Sequence, residues 1–265
     1  MRAIFMGKNK PSVAEALEYL VQKQVEVVAV VAPPRGEVPL SGPQLAEVAD
    51  AHGIPTRSDT ELYRCIEAGS QGGSPAFELG DVDLVLSFLF WKKIQKPLID
   101  LPKIGCLNFH PAPLPDYRGW GAYNFGIYER QTRWGVAAHY VDEEFDTGDL
   151  VKVLRFDIDP KRDTAYSLEQ ASQVQLVALF KEVVDLACAG GPLPRTKQGS
   201  GRSFSRPEAE ALRKISPDDT PDQIDRKVRA FWYPPYGGAT IELQGSTYYV
   251  VDEPLMAEIG KRYHR

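Results

Sequence analysis

The sequence predicts an α/β fold built on a mostly parallel sheet, with a small helix and β-hairpin module appended at the C-terminus. Three observations predict it. Apolar runs of strand length alternate with helical periodicities from the first residues to about Ala189. The stretch Val25 to Ala32 has valine at five of its eight positions, as suits a parallel strand covered on both faces. The composition then shifts at GGPLPRTKQGSGRSFSRPE, which is rich in Gly, Pro, Ser and basic residues. A length of 265 residues leaves room for one large core and an appendage.

Taken in order, Arg2 to Gly7 reads as a short buried strand. Pro11 opens a helix through Leu20, in which Val13, Leu17 and Leu20 recur at helical spacing. Pro33-Pro34 ends the strand that follows. A helix is expected over Pro43 to Ala51, a short strand near Ile54, and a helix over Asp59 to Ala68 before a surface loop at GSQGGSP. Val82 to Phe88 and Ile104 to Phe109 are the next strands. A helix near Gly121 to Arg130, strands Gly135 to Val141 and Leu150 to Phe156, and a long helix from about Thr164 to Ala189 complete a Rossmann-like order. Ligands of open α/β sheets bind beyond the carboxyl ends of the strands, so the ends at Phe88 and Phe109 are where chemistry is sought.

The boundary is expected near Gly201, dividing the chain into residues 1–200 and 201–265. Thr220 caps a helix from Pro221 to Phe231, with Pro at the first helical position. Ala239 to Leu243 and Thr247 to Val251 flank Gln244-Gly245-Ser246 in the pattern of a hairpin. Such a tail is too short for a core of its own, so it packs on the main domain, on a second subunit, or on both.

Charge and composition narrow the partners. A formal net charge of −5 disfavours a broad polyanion-binding surface and hence an RNA substrate. Cys65, Cys106 and Cys188 are far apart and form no C-x-x-C pair, which suggests neither a disulfide framework nor a zinc site and fits a reducing cytoplasm. No segment approaches the ~18 apolar residues of a membrane span, and the N-terminus lacks the pattern of an export signal. A dinucleotide site is disfavoured as well. The first strand turns through Met6-Gly7-Lys8-Asn9-Lys10, with one glycine where close approach to a pyrophosphate needs several. Lys8 and Lys10 beside a helix start either hold a substrate phosphate or are solvated surface lysines.

The strongest constellation is LNFHPAPLPDYRG followed by VDEEFDTGDL. Asn108 and His110 are two apart, so on a strand end they project to the same side and can meet one bound atom. An amide donor beside a titratable imidazole suits acyl transfer, and prolines 111, 113 and 115 stiffen the exit. Asp146, in a turn-rich loop after a later strand, can orient that imidazole and favour its cationic form.

With Asn108-Phe109-His110, Leu114-Pro115-Asp116-Tyr117-Arg118-Gly119, Gly135-Val136-Ala137-Ala138-His139 and Asp146-Thr147-Gly148 in view, the chain resembles the N10-formyltetrahydrofolate-dependent formyltransferases. That family includes methionyl-tRNA formyltransferase, glycinamide ribonucleotide formyltransferase and the sugar N-formyltransferases. The match is strong over residues 80 to 155. The resemblance places the family's catalytic Asn, His and Asp on Asn108, His110 and Asp146, and implies N10-formyltetrahydrofolate as co-substrate with no metal. It implies a pterin site along Ser87 to Ile94, where Phe90, Trp91 and Ile94 form apolar walls and Lys92 is available for the glutamate end of folate, with Glu144 and Phe145 closing the other side. The segment Val228 to Pro235 looks like the one that precedes the dimerisation hairpin of sugar N-formyltransferases, which implies a homodimer, and the cluster Phe231 to Tyr236 is expected at its interface.

The acceptor expected is the primary amine of a nucleotide-linked, dTDP-type amino sugar. Tyr117, Arg118 and Trp120 follow the catalytic strand closely and are expected to contact sugar, base or diphosphate, with Lys8 as a second cation. A tRNA-formylating enzyme needs a larger basic C-terminal domain than the residues after Gly201 supply. A non-catalytic folate-binding protein has no need of Asn108, His110 and Asp146 together.

Overall fold

The computed structural model describes residues 1–34, 42–70, 79–234 and 237–263. The expected loop at GSQGGSP lies outside them from residue 71, as do Pro235 and Tyr236. The chain runs β1 (Arg2–Gly7), α1 (Pro11–Gln22), β2 (Glu26–Val31), α2 (Leu45–Ala51), β3 (Thr56–Arg57), α3 (Asp59–Ser70), β4 (Leu84–Phe88) and β5 (Gly105–His110). It continues through β6 (Arg118–Gly119), α4 (Ala122–Tyr128), β7 (Arg133–Tyr140), β8 (Leu150–Asp157) and α5 (Ala165–Cys188). Beyond lie β9 (Ser203–Phe204), α6 (Arg206–Arg213), α7 (Pro221–Phe231), β10 (Ala239–Leu243), β11 (Ser246–Val250) and α8 (Glu253–Tyr263).

Seven strands form one sheet in the order β3-β2-β1-β4-β5-β7-β8. The pairings from β3 to β5 are parallel; β5 with β7 and β7 with β8 are antiparallel. The two-residue period of a strand sorts its side chains between two cores. In β1, Ala3 and Phe5 join α1 and α5 on one face, while Ile4 and Met6 join α3 residues Leu62, Cys65 and Ile66 on the other. The longest helix, α5, is started by Thr164, whose hydroxyl accepts from the Ser167 N–H while the Ser167 hydroxyl accepts in return from the Thr164 N–H.

The tail shares a core with the main domain. Phe204, Ala209, Val228, Ala230, Phe231, Trp232 and Leu255 are buried together with Ala122, Phe125, Trp134 and Leu168. Phe231 and Trp232 are thus consumed inside their own chain, and the expectation that they form an interface is corrected on that ground. The first tail strand, β9, pairs in parallel with β6 beside the catalytic strand. Neither two-residue strand was expected from sequence. Nor was α6, which buries only Ala209 and so carries no apolar stripe.

Candidate active site

A row of register partners crosses the sheet at one level. Val31, Met6, Ser87, Asn108 and His139 stand opposite one another on β2, β1, β4, β5 and β7, so their side chains share a face. The row is apolar on β2 and β1 and polar on β4, β5 and β7. His110, two residues beyond Asn108, lies on the same face.

Hydrogen bonds fix the orientation of each polar group. The Ser87 hydroxyl donates to Asn108 Oδ1 at 2.8 Å, which turns the amide nitrogen toward His139 Nε2 at 3.1 Å. His139 Nδ1 lies 2.7 Å from the Tyr140 carbonyl; a carbonyl only accepts, so this nitrogen carries a proton. In the neutral ring Nε2 therefore accepts from Asn108, and in the cationic ring it donates to Asp146 instead. By the same reasoning His110 Nε2 donates to the Tyr117 carbonyl at 2.8 Å, leaving Nδ1 toward Asp146.

Asp146 gathers these groups. Its Oδ1 lies 3.4 Å from His110 Nδ1 and 3.5 Å from both His139 Nε2 and Asn108 Nδ2. Its Oδ2 accepts the Gly119 N–H at 3.0 Å. Burial acts to raise the carboxyl pKa, yet the facing His110 charge, the His139 contact and the Gly119 N–H together hold it well below the ordinary aspartate value. The long contacts at Oδ1 suit a group that exchanges partners when substrate enters.

The cluster sits in a cleft of about 870 Å³, the size of a small-molecule site. Phe90, Trp91, Lys92, Ile94, Glu144, Phe145, Lys8 and Trp120 all line it. Trp91, Trp120 and Phe145 are 40%, 48% and 58% exposed, an apolar rim open to a planar ligand. Lys8 is solvent-open but crowded, and its ammonium pKa is lowered by the surrounding protein and by Lys10, with Glu169 opposing. Among the described residues no group of three or more His, Cys, Asp or Glu could hold a metal ion.

Three expectations need correction. Lys92 lies at 2.9 Å from both Asp59 carboxylate oxygens and is not a free cation for a folate carboxylate. Tyr117 is buried between Trp134 and Phe204 with its hydroxyl donating to Glu129, and it serves the site through its carbonyl. Arg118 directs its guanidinium to Gln198 and the Gly199 carbonyl and is no part of the cleft wall. Ser87, His139 and Gly119 stand within the segments that carry the resemblance, but the sequence assigns them no individual role, and it assigns none to Gln198. Ser87 and His139 could have been found from strand register, which fixes the neighbours of Asn108.

A fold of this kind has known counterparts. The chain belongs to the formyl transferase family, whose model matches residues 1–184. It is 34% identical over 203 residues to the methionyl-tRNA formyltransferase of Geotalea uraniireducens, covering 75% of this chain and 62% of that protein. It is 31% identical over 170 residues to the GDP-perosamine N-formyltransferase of Brucella melitensis, covering 64% of each. These alignments span less than two thirds of the relatives' own length. In structure it resembles the Helicobacter canadensis N-formyltransferase crystallised with folinic acid and dTDP-3-aminofucose, with a TM-score of 0.72 at 21% identity over 92% of this chain and 85% of that one.

Proposed function

We propose that this protein transfers the formyl group of N10-formyltetrahydrofolate to the primary amine of a nucleotide-linked amino sugar. The observation that carries the chemistry is the meeting of Asn108, His110 and the ionised Asp146 at one end of an aromatic-rimmed cleft. Attack of the amine nitrogen on the formyl carbon places negative charge on the formyl oxygen, which the Asn108 amide and protonated His110 stabilise. Asp146 takes the proton the amine must lose, and that proton is passed on within the site to folate N10 as its bond to carbon breaks, so the site ends in the protonation state in which it began. Phe90, Trp91 and Ile94 suit the flat face of a pterin.

The acceptor reading rests on family members that act on or bind nucleotide sugars, on the solvent-open Lys8 and Trp120 at the cleft, and on the acidic balance of the chain. Methionyl-tRNA is the second reading, favoured by the 34% identity to a tRNA enzyme. We also propose a homodimer through the tail, where Leu243, Tyr248, Tyr249 and Met256 are exposed; sedimentation at micromolar concentration checks it. A soluble cytoplasmic enzyme accords with the finding that no helix among the described residues is long and apolar enough to cross a membrane. The deciding measurement is tetrahydrofolate release with dTDP-3-amino and dTDP-4-amino sugars, GDP-perosamine, glycinamide ribonucleotide and charged initiator tRNA in parallel. Turnover of a nucleotide amino sugar is expected. Turnover of charged tRNA or glycinamide ribonucleotide alone overturns the acceptor, and turnover of none overturns the activity.

A further inference from the structure

We propose that Gln198, in the stretch between α5 and β9, is a positioning residue for Asp146 and sets the placement of its carboxylate over Asn108 and His110. The side-chain amide nitrogen of Gln198 donates to two backbone carbonyls of the loop, Asp146 O at 3.0 Å and Gly148 O at 2.6 Å. Its oxygen accepts from Arg118 Nε at 3.2 Å and Nη2 at 2.9 Å, and Arg118 Nη2 also reaches the Gly199 carbonyl at 3.1 Å. The residue next to that arginine, Gly119, gives its N–H to Asp146 Oδ2. Asp146 is therefore held twice from one small ladder, at its backbone by Gln198 and at its carboxylate by Gly119.

The ladder itself is rigidly placed. Arg118 and Gly119 pair with Ser203 and Phe204, the Arg118 N–H donates to Arg202 O, and the Trp120 N–H donates to Phe204 O. A Cβ on Gly201 would lie 1.9 Å from Pro115 O, and one on Gly119 would lie 2.5 Å from Phe204 O, so the two strands and the segments leading into them meet at backbone contact. The backbone of Asp146 is left-handed at φ 58°, a conformation that aspartate adopts more readily than most residues but still sparingly, and the two bonds from Gln198 to the loop carbonyls hold it there.

Only one residue type meets all four bonds. A carboxylate of the same length accepts from Arg118 but cannot donate to the carbonyls, a lysine donates but cannot accept, and asparagine is one methylene short. A side chain that merely tied the tail to the sheet would not need donors aimed at the backbone carbonyl of Asp146.

The proposal rests on the formyl-transfer reading, so its test has an arm that needs no acceptor. Full-length Gln198→Glu and Gln198→Ala are compared with wild type and with Arg206→Ala, a surface control in the same tail. With the acceptor that turns over, both Gln198 variants are expected to lose about 10- to 100-fold in kcat, while the KM for N10-formyltetrahydrofolate stays within about threefold. Gln198→Glu keeps the Arg118 pairing and the fold while losing both donated bonds, so it carries the test if Gln198→Ala does not fold. The second arm is an NMR pH titration of the imidazole signals, which the sequence limits to four histidines. The signals of His110 and His139 are expected to move in both Gln198 variants while those of His52 stay. A kcat for Gln198→Glu within about twofold of wild type overturns the proposal, as do unmoved His110 and His139 signals. Should no acceptor turn over, the formyl-transfer reading falls while the titration still decides whether Gln198 positions Asp146.

Discussion

The two faces of β5 have opposite fates although their residues alternate along one strand. Leu107 and Phe109 point toward α5 and are fully buried, with Phe109 stacked on Phe88 at 5.9 Å and edge-on to Phe180 at 4.8 Å. Asn108 and His110 face the other way, each held by hydrogen bonds at the edge of an open cleft. The closed face has no room to move and the open face has little freedom to turn. Dense packing on one side thus preorganises the polar groups on the other, so that substrate meets donors already in place.

If that division of labour holds, the largest losses come from the open face with no loss of fold. His110→Ala and Asp146→Asn are each expected to lower formyl transfer by about 10²- to 10⁴-fold, with folate binding and the native fold preserved. Asn108→Ala should lose about 10²- to 10³-fold. Rates within about tenfold of wild type for either His110→Ala or Asp146→Asn would break the comparison.

The closed face should show the reverse pattern. Phe109→Ala leaves a cavity against Phe88 and Phe180 and is expected to cost about 3 to 5 kcal/mol in denaturant unfolding. A cost below about 1 kcal/mol would mean that α5 does not brace the strand.

A smaller effect tests the electrostatics of Asp146. Its folded-state pKa lies below the unfolded value, so its ionisation contributes stability that is fully present above about pH 4 and is lost as pH falls through the folded value. The stability of wild type minus that of Asp146→Asn is therefore expected to rise with pH through the acid range and level off above about pH 5. A difference that falls with pH would contradict the arrangement of His110, His139 and Gly119 around the carboxylate.

The smallest effect concerns the floor of the row. Ser87→Ala removes the hydroxyl that orients the Asn108 amide and should cost about 0.5 to 1.5 kcal/mol, seen as a severalfold drop in kcat. An unchanged kcat would show that His139 and the strand suffice to hold Asn108.

Sequence carried much of this because its signals were local. Strand runs and helical spacing located the elements of the large sheet, and the spacing of Asn108 and His110 showed their common side. What it concealed is non-local. Lys92 is taken up by Asp59, 33 residues away, and no pattern in the segment from Ser87 to Ile94 announces it. Tyr117 stands close to the catalytic strand in sequence, yet its carbonyl meets His110, and its ring turns into the core. The strands β6 and β9 are too short to show a period at all. Gln198 lies in a polar, glycine-rich stretch whose composition marks a linker, and only the folded chain shows what it grips.

The pairing of β6 with β9 sets how much of this chain can be inherited or exchanged as a piece. A recombination breakpoint just after residue 184, where the family match ends, would keep all seven strands of the sheet yet separate Arg118 from Gln198 and Gly119 from Phe204. Tails could be swapped between relatives only at joints beyond Phe204, or by donors whose own first strand fits the same two residues. Lineages that vary α7 and the hairpin would then hold residues 198 to 204 with the sheet.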